Sequence, residues 1–279
     1  MTPLVGLVCA CLGFVAADDA ALETIGRLKH EPIREASGIV ASRKHAGVFW
    51  VINDSGNPPV LFAVKRDGTL VREYKVAAIN LDWEAIAIDD AGFLYIGDIG
   101  NNDARLPIRV VYKLAEPDPS GPAPAAPLPL VAASHYRFAE TGRFDAEALF
   151  VDAEKRVVMI SKTPDGRESE LFRIEFNPPA TLFRPVDPIR VGSLPDFVEP
   201  VTGADITANG RRLAVCSYGV LRVYEPASFT SPRWRKVGEL RFKAQGVEGI
   251  CWDGDDLLLC AESREMYRVK PAQWRRNEK

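Results

Sequence analysis

From Ser37 onward, short apolar runs alternate with clusters of Asp, Gly and Asn along the chain. The clearest case lies between Leu81 and Asn102. Ala85 to Ile88 form one run, Asp89 to Gly92 supply turn chemistry, and Phe93 to Ile96 form a second run closed by Gly97 and Asp98. Aromatic and β-branched residues bracketed by Asp and Gly predict a hairpin. The two ends of a hairpin meet, so Glu84 before the first strand and Asp98 after the second are expected to lie close together.

The pattern recurs. First strands are expected to begin at Ser37, Glu84, Glu147, Ala204 and Glu248, and second strands to end at Asp54, Asp98, Lys162, Tyr218 and Glu262. A third run follows each hairpin (LFAVKR, VVYKLAEP, LFRIEFNPP, LRVYEP and MYRVKP). Fourth strands are expected at residues 70–76, 135–139, 189–191 and 236–242. The last repeat ends with only three strands, while residues 23–29 offer a spare one ahead of the first repeat. Lending that strand to the last repeat would close a ring and cover an exposed edge. The prediction is therefore all-β, a five-bladed β-propeller over residues 18–279, with six blades as the alternative. The Pro-rich segment 116–130 interrupts this pattern. It is read as a stiff extended loop rather than a domain linker, because the repeat continues on both sides.

Charge narrows the partners. With 38 acidic and 35 basic residues in 279, no nucleic-acid partner is expected. Residues 1–17 are apolar and uncharged, and Val15-Ala16-Ala17 precedes Asp18 like a cleavage site. They read as a signal peptide, which places the protein outside the cytoplasm, secreted or periplasmic. An anchor that stays attached is the alternative. No later stretch has the length of a membrane span. Cys216, Cys251 and Cys260 read as small buried residues, with a Cys251–Cys260 cross-strand disulfide as the other option.

The repeats Glu84-Ala85-Ile86, Glu147-Ala148-Leu149 and Glu248-Gly249-Ile250, with Val201 to Ile206 and Asn209 to Ala214, carry a resemblance. They resemble secreted bacterial β-propellers of the broad group that includes gluconolactonase and strictosidine-synthase-like proteins, phytase-like propellers and WD-type repeat proteins. In gluconolactonase-like enzymes an acid opening an inner strand helps bind a divalent ion. The resemblance implies that role for Glu84, Glu147 and Glu248.

The first strand of a blade lines the channel, so both repeated positions are expected at one channel mouth. One ring comprises Ser37, Glu84, Glu147, Ala204 and Glu248, and the other Asp54, Asp98, Lys162, Tyr218 and Glu262. Glu35, Asp82 and Asp145 are expected to add to the rim. Crowded carboxylates hold their protons more tightly unless a cation or base intervenes. Lys162 is one such base and Ca²⁺ or another divalent ion is the expected cofactor, with no cofactor as the alternative. The expected ligand-binding residues are Asp54, Asn57, Asp98, Asn101, Lys162, Tyr218 and Glu262. The plainer reading is that these residues build Asx turns and satisfy blade-top N–H groups. The expected function is binding of a small molecule, cation or peptide by a monomeric propeller. A metal-dependent hydrolase of lactones or phosphoesters is the first alternative, and a protein-interaction scaffold the second.

Overall fold

The structure is a computed structural model that describes residues 19–101, 107–137, 145–163, 166–176, 185–227 and 233–275. The signal segment expected at residues 1–17 lies outside the described residues. Five sheets account for the fold, each built on four antiparallel strands. Blade 1 comprises Ala36–Ala41, Val48–Asn53, Val60–Lys65 and Leu70–Lys75. Blade 2 comprises Trp83–Ile88, Phe93–Asp98, Arg109–Ala115 and Leu130–Tyr136. Blade 3 comprises Ala146–Val151, Val157–Ser161, Glu170–Ile174 and Ile189–Ser193. Blade 4 comprises Gly203–Ile206, Leu213–Cys216, Val220–Pro226 and Trp234–Lys243. Blade 5 takes Val247–Asp253, Asp256–Ala261 and Glu265–Val269 from the end of the chain and Glu23–Arg27 from its beginning.

The five inner strands contact one another in a closed circuit, blade 5 meeting blade 1. This is a five-bladed propeller closed by its N-terminal strand, as expected from the repeat. Its core is divided into five parts, one between each pair of adjacent blades. Trp50 and Trp83 fill the part between blades 1 and 2, and Trp252 and Trp274 that between blades 4 and 5. Apolar burial is the main force pressing the blades together, since adjacent sheets share no continuous ladder.

Outer strands are also stitched sideways. Leu128 forms a parallel bridge with Val76 of blade 1, Val186 with Tyr136 of blade 2, and Ala20–Ala21 pairs in parallel with Phe242 and Lys243 of blade 4. Arg27 N–H donates to the Asp67 carbonyl (3.1 Å), which joins blade 5 to blade 1. The segment before Leu130 is thus an extended stitch, as its prolines suggest. The outer strand of blade 2 starts at Leu130 rather than at residue 135, because this stitch delivers the chain straight into the sheet. Cys216, Cys251 and Cys260 are free and buried. Cys260 faces Gly249 while Cys251 faces Leu258 across the same ladder, so the two sulfurs are not cross-strand partners.

Candidate functional site

The upper end of each inner strand decides what faces the channel. In blades 1, 2, 3 and 5 the register slips by one residue at Ser37, Glu84, Glu147 and Glu248. A β-bulge sets two residues against one and re-aims a side chain. Glu84, Glu147 and Glu248 consequently line one cavity at the channel top together with Ser37. All three glutamates are buried, at 4%, 4% and 8% exposure, which is uncommon for this residue type.

The register moves two positions away from the expected rings. In blade 4, Gly203 faces Cys216 as Gly38 faces Ile52 and Gly249 faces Cys260, so Thr202 rather than Ala204 stands at the ring position. Thr202 Oγ1 donates to the Val247 carbonyl (2.8 Å), just as Ser37 Oγ donates to the Trp83 carbonyl (2.9 Å). Each hydroxyl therefore fixes the residue preceding the ring glutamate of its neighbouring blade. The hydroxyl-Gly pairs Ser37-Gly38 and Thr202-Gly203 were the signal for this equivalence.

The second ring shifts in blade 2. The N–H groups of Asp54, Ile99 and Lys162 each donate to the loop entering their own blade, at Glu35, Asp82 and Asp145. Ile99, not Asp98, is thus the counterpart of Asp54 and Lys162. The Asp98 side chain instead accepts from the N–H groups of Leu81 (3.2 Å) and Asp82 (2.6 Å) and from the Tyr112 hydroxyl (3.4 Å). It holds the loop that carries Asp82. Asn53 does the same for blade 1, accepting from Arg34 N–H (3.2 Å) and donating to the Pro32 carbonyl (2.7 Å).

The remaining expected residues gather at the mouth with different neighbours. Asn57 donates to Glu35 Oε2 (2.8 Å), and Asn101 is buried with its N–H on Asp145 Oδ1 (2.8 Å). Lys162 forms an ion pair with Glu147. Glu248 shares a hydrogen bond with Glu262; burial and then the Glu262 charge push its pKa up to about 8. Tyr218 is 42% exposed. Its hydroxyl is pushed up to about 12 by burial and by the charges of Glu248, Glu262 and Glu84. Burial, reinforced by Asp54 and Asp145, raises Asp82 to about 6, and burial raises Asp54 as well. Glu84 rises well above the usual carboxylate range through burial and the charges of Asp54, Asp82 and Glu248.

Carboxyl oxygens of Asp54, Asp82 and Glu84 lie within 4.8 Å of one another. The three glutamates expected to share an ion therefore divide. Glu147 is answered by Lys162, Glu248 bonds to Glu262, and Glu84 turns to Asp54 and Asp82. Sequence reasoning missed Arg109. It is buried at the start of the third strand of blade 2, within electrostatic reach of Asp145 and Asp82, and burial lowers its pKa. Its apolar surroundings, Pro107-Ile108 and Val110-Val111, were the available hint.

The Lys162–Glu147 pair yields a stability prediction. Removing one partner of a buried pair leaves the other charge uncompensated, at a cost of about 3–5 kcal/mol. Lys162→Met should lower the melting temperature, and Lys162→Met/Glu147→Gln should recover much of the loss. A single variant as stable as the parent would contradict the pairing.

No family model and no curated protein matches the chain. Two solved β-propellers are similar to it in fold. One is the Dos1 propeller, with 10% identity and a TM-score of 0.41 over 88% of this chain. The chain spans 59% of the Dos1 chain. The other is the Cps50 (Swd1) β-propeller domain of Myceliophthora thermophila, with 10% identity and a TM-score of 0.45 over 87% of this chain and 96% of that one. The likeness ends at the architecture. No helix among the described residues is long and apolar enough to cross a membrane.

Proposed function

We propose that the protein is a ligand-binding propeller whose site is the acidic channel mouth, and that it selects positively charged ligands. The observation that carries this reading is Glu84. Its side chain lines the channel cavity at 4% exposure and meets no hydrogen-bond donor or basic group among the described residues. An ionised carboxylate in such a place is costly unless something neutralises it. The charges that act on it most, those of Asp54, Asp82, Glu248 and Asp145, are all acidic, and the bases Arg109 and Lys162 are engaged with other acids, so the partner it calls for is a cation. The bulges support the reading, since they turn three glutamates inward where an unbroken ladder would space side chains regularly. The apolar segment at residues 1–17 supports an extracytoplasmic setting for this binding.

A thermal-shift panel at pH 8 tests the proposal. Ca²⁺, spermidine and lysine amide should raise the melting temperature of the purified chain, while phosphate, citrate and glucose should not. Glu84→Gln should shrink the cation response. Stabilisation by the anions, or a response to cations that Glu84→Gln leaves intact, would remove the mouth as the site.

A further inference from the structure

We infer that Asp54, Asp82 and Glu84 form a site for a single Ca²⁺-sized divalent cation, seated over Gly100. The inference rests on the cationic mouth proposed above and names the ligand class. Three features on different elements converge on it. Glu84 comes from the bulged inner strand of blade 2. Asp82 comes from the loop entering that blade, where Asp98 grips the backbone at Leu81 and Asp82. Asp54 comes from the loop after the second strand of blade 1, with its carboxylate fixed by the Ser55 N–H. Their oxygens lie within 4.8 Å of one another. Ca²⁺ binds oxygen at about 2.3–2.6 Å, so ligands on opposite sides of the ion stand roughly 5 Å apart, and this set fits within that span.

Two further observations separate a built site from an acidic cluster. The first is the Glu84 side chain, which is 4% exposed, lines the cavity and takes no hydrogen bond from a described residue. The second is Gly100. A Cβ there would lie 2.5 Å from Asp82 Oδ2 and 2.6 Å from Glu84 Oε1. A methyl there would push the two carboxylates aside from these positions. Like charges brought this close repel one another, and a hard cation held between them reverses the sign of the interaction. The other two ring glutamates have answers of their own in Lys162 and Glu262, so the site belongs to the blade 1–blade 2 side of the mouth.

Calorimetric titration of the chelator-treated chain with Ca²⁺ at pH 8 provides the test, with Tb³⁺ luminescence sensitised through Trp83 as a second readout. One Ca²⁺ per chain is expected. Asp82→Asn and Glu84→Gln should each weaken binding by about tenfold or more, because each removes a direct oxygen ligand. Both substitutions relieve repulsion in the cation-free protein, so both variants should fold. Gly100→Ala, which removes no charge, should weaken Ca²⁺ as well. Glu262→Gln removes a mouth charge outside the trio and should change affinity by no more than about twofold, as expected of a second-rank electrostatic effect. Loss in Glu262→Gln equal to that in Glu84→Gln would show diffuse attraction and overturn the site. Failure of Ca²⁺ to bind at about 10 mM, beyond the weakest range of natural sites, would also overturn it. If spermidine then still stabilises the chain, the cationic mouth stands without the metal. If neither cation acts, both readings fall.

Discussion

At pH 8, without added cation, the protein is expected to melt well below its melting temperature at pH 5.5. The cause is the set of buried carboxyls whose folded pKa lies above the unfolded value. Burial and the Glu262 charge raise Glu248 to about 8, and burial raises Asp205 to about 6 although Arg43 and the Trp252 N–H oppose it. Asp82 and Glu84 are raised in the same direction, again chiefly by burial. In the unfolded chain these groups titrate near 4. Between those limits the folded state binds more protons than the unfolded state. Their stabilising contribution is complete below about pH 4 and is lost as pH rises through about 6 and then 8. Glu199 and Glu239 work the other way, since the Arg222 hydrogen bonds hold them low despite burial. Both stay ionised from pH 5.5 to pH 8 and add no slope there.

A fall of about 5 °C or more between pH 5.5 and pH 8 is expected, equivalent to a few kcal/mol for a chain of this size. Calorimetric melts across that range would measure it. Glu248→Gln should flatten the upper part of the profile, and Ca²⁺ at pH 8 should restore the part of the loss that belongs to Asp82 and Glu84. A profile that is flat or rises with pH would show that these carboxyls are neutralised within the fold, and the cation-binding proposal would lose its physical basis.

The second large effect is expected at the seam where the ring closes. Gly26, in the N-terminal strand of blade 5, and Gly68, in a turn of blade 1, face each other's backbones. A Cβ on Gly26 would lie 2.1 Å from the Asp67 carbonyl oxygen, and one on Gly68 would lie 2.3 Å from that of Arg27. Gly68 also has φ +81°, a conformation that L residues adopt at a cost. Nothing at this seam is a flexible side-chain end, so the two blades would have to part. Gly26→Ala or Gly68→Ala should therefore destabilise by about 3 kcal/mol, from overpacking together with backbone strain in the second case. The corresponding fall in melting temperature is roughly 6–12 °C. Gly254→Ala is the control. It has φ +64° with nothing within 4 Å of the added Cβ, so only the local strain of about 1 kcal/mol applies. If Gly68→Ala melts no lower than Gly254→Ala, the seam is not under the constraint described.

Much of this arrangement was open to reading from the chain alone. Runs such as Ala85 to Ile88 and Phe93 to Ile96, set between Asp and Gly, predict strand and turn through neighbours a few residues away. The spare strand at residues 23–29 against a last repeat one strand short predicted the closure, because an uncovered sheet edge is costly. Glu84, Glu147 and Glu248 were expected on one opening because equivalent positions of a ring repeat must converge.

What the chain determined by itself, then, was the number of blades, their order, the closure and the acidic mouth. All of these follow from local alternation and from repetition. The tertiary structure alone decided which acid meets which group. A single bulged residue turns Glu84 inward, a one-residue difference sends Asp98 to the Asp82 loop instead of the channel, and Thr202 replaces Ala204 in the ring. Strand side chains alternate faces, so one inserted residue reverses their aim, and no count along the chain reveals the slip. The meeting of Asp54 with Asp82 and Glu84 beside Gly100 arises between neighbouring blades, where only packing fixes the distances.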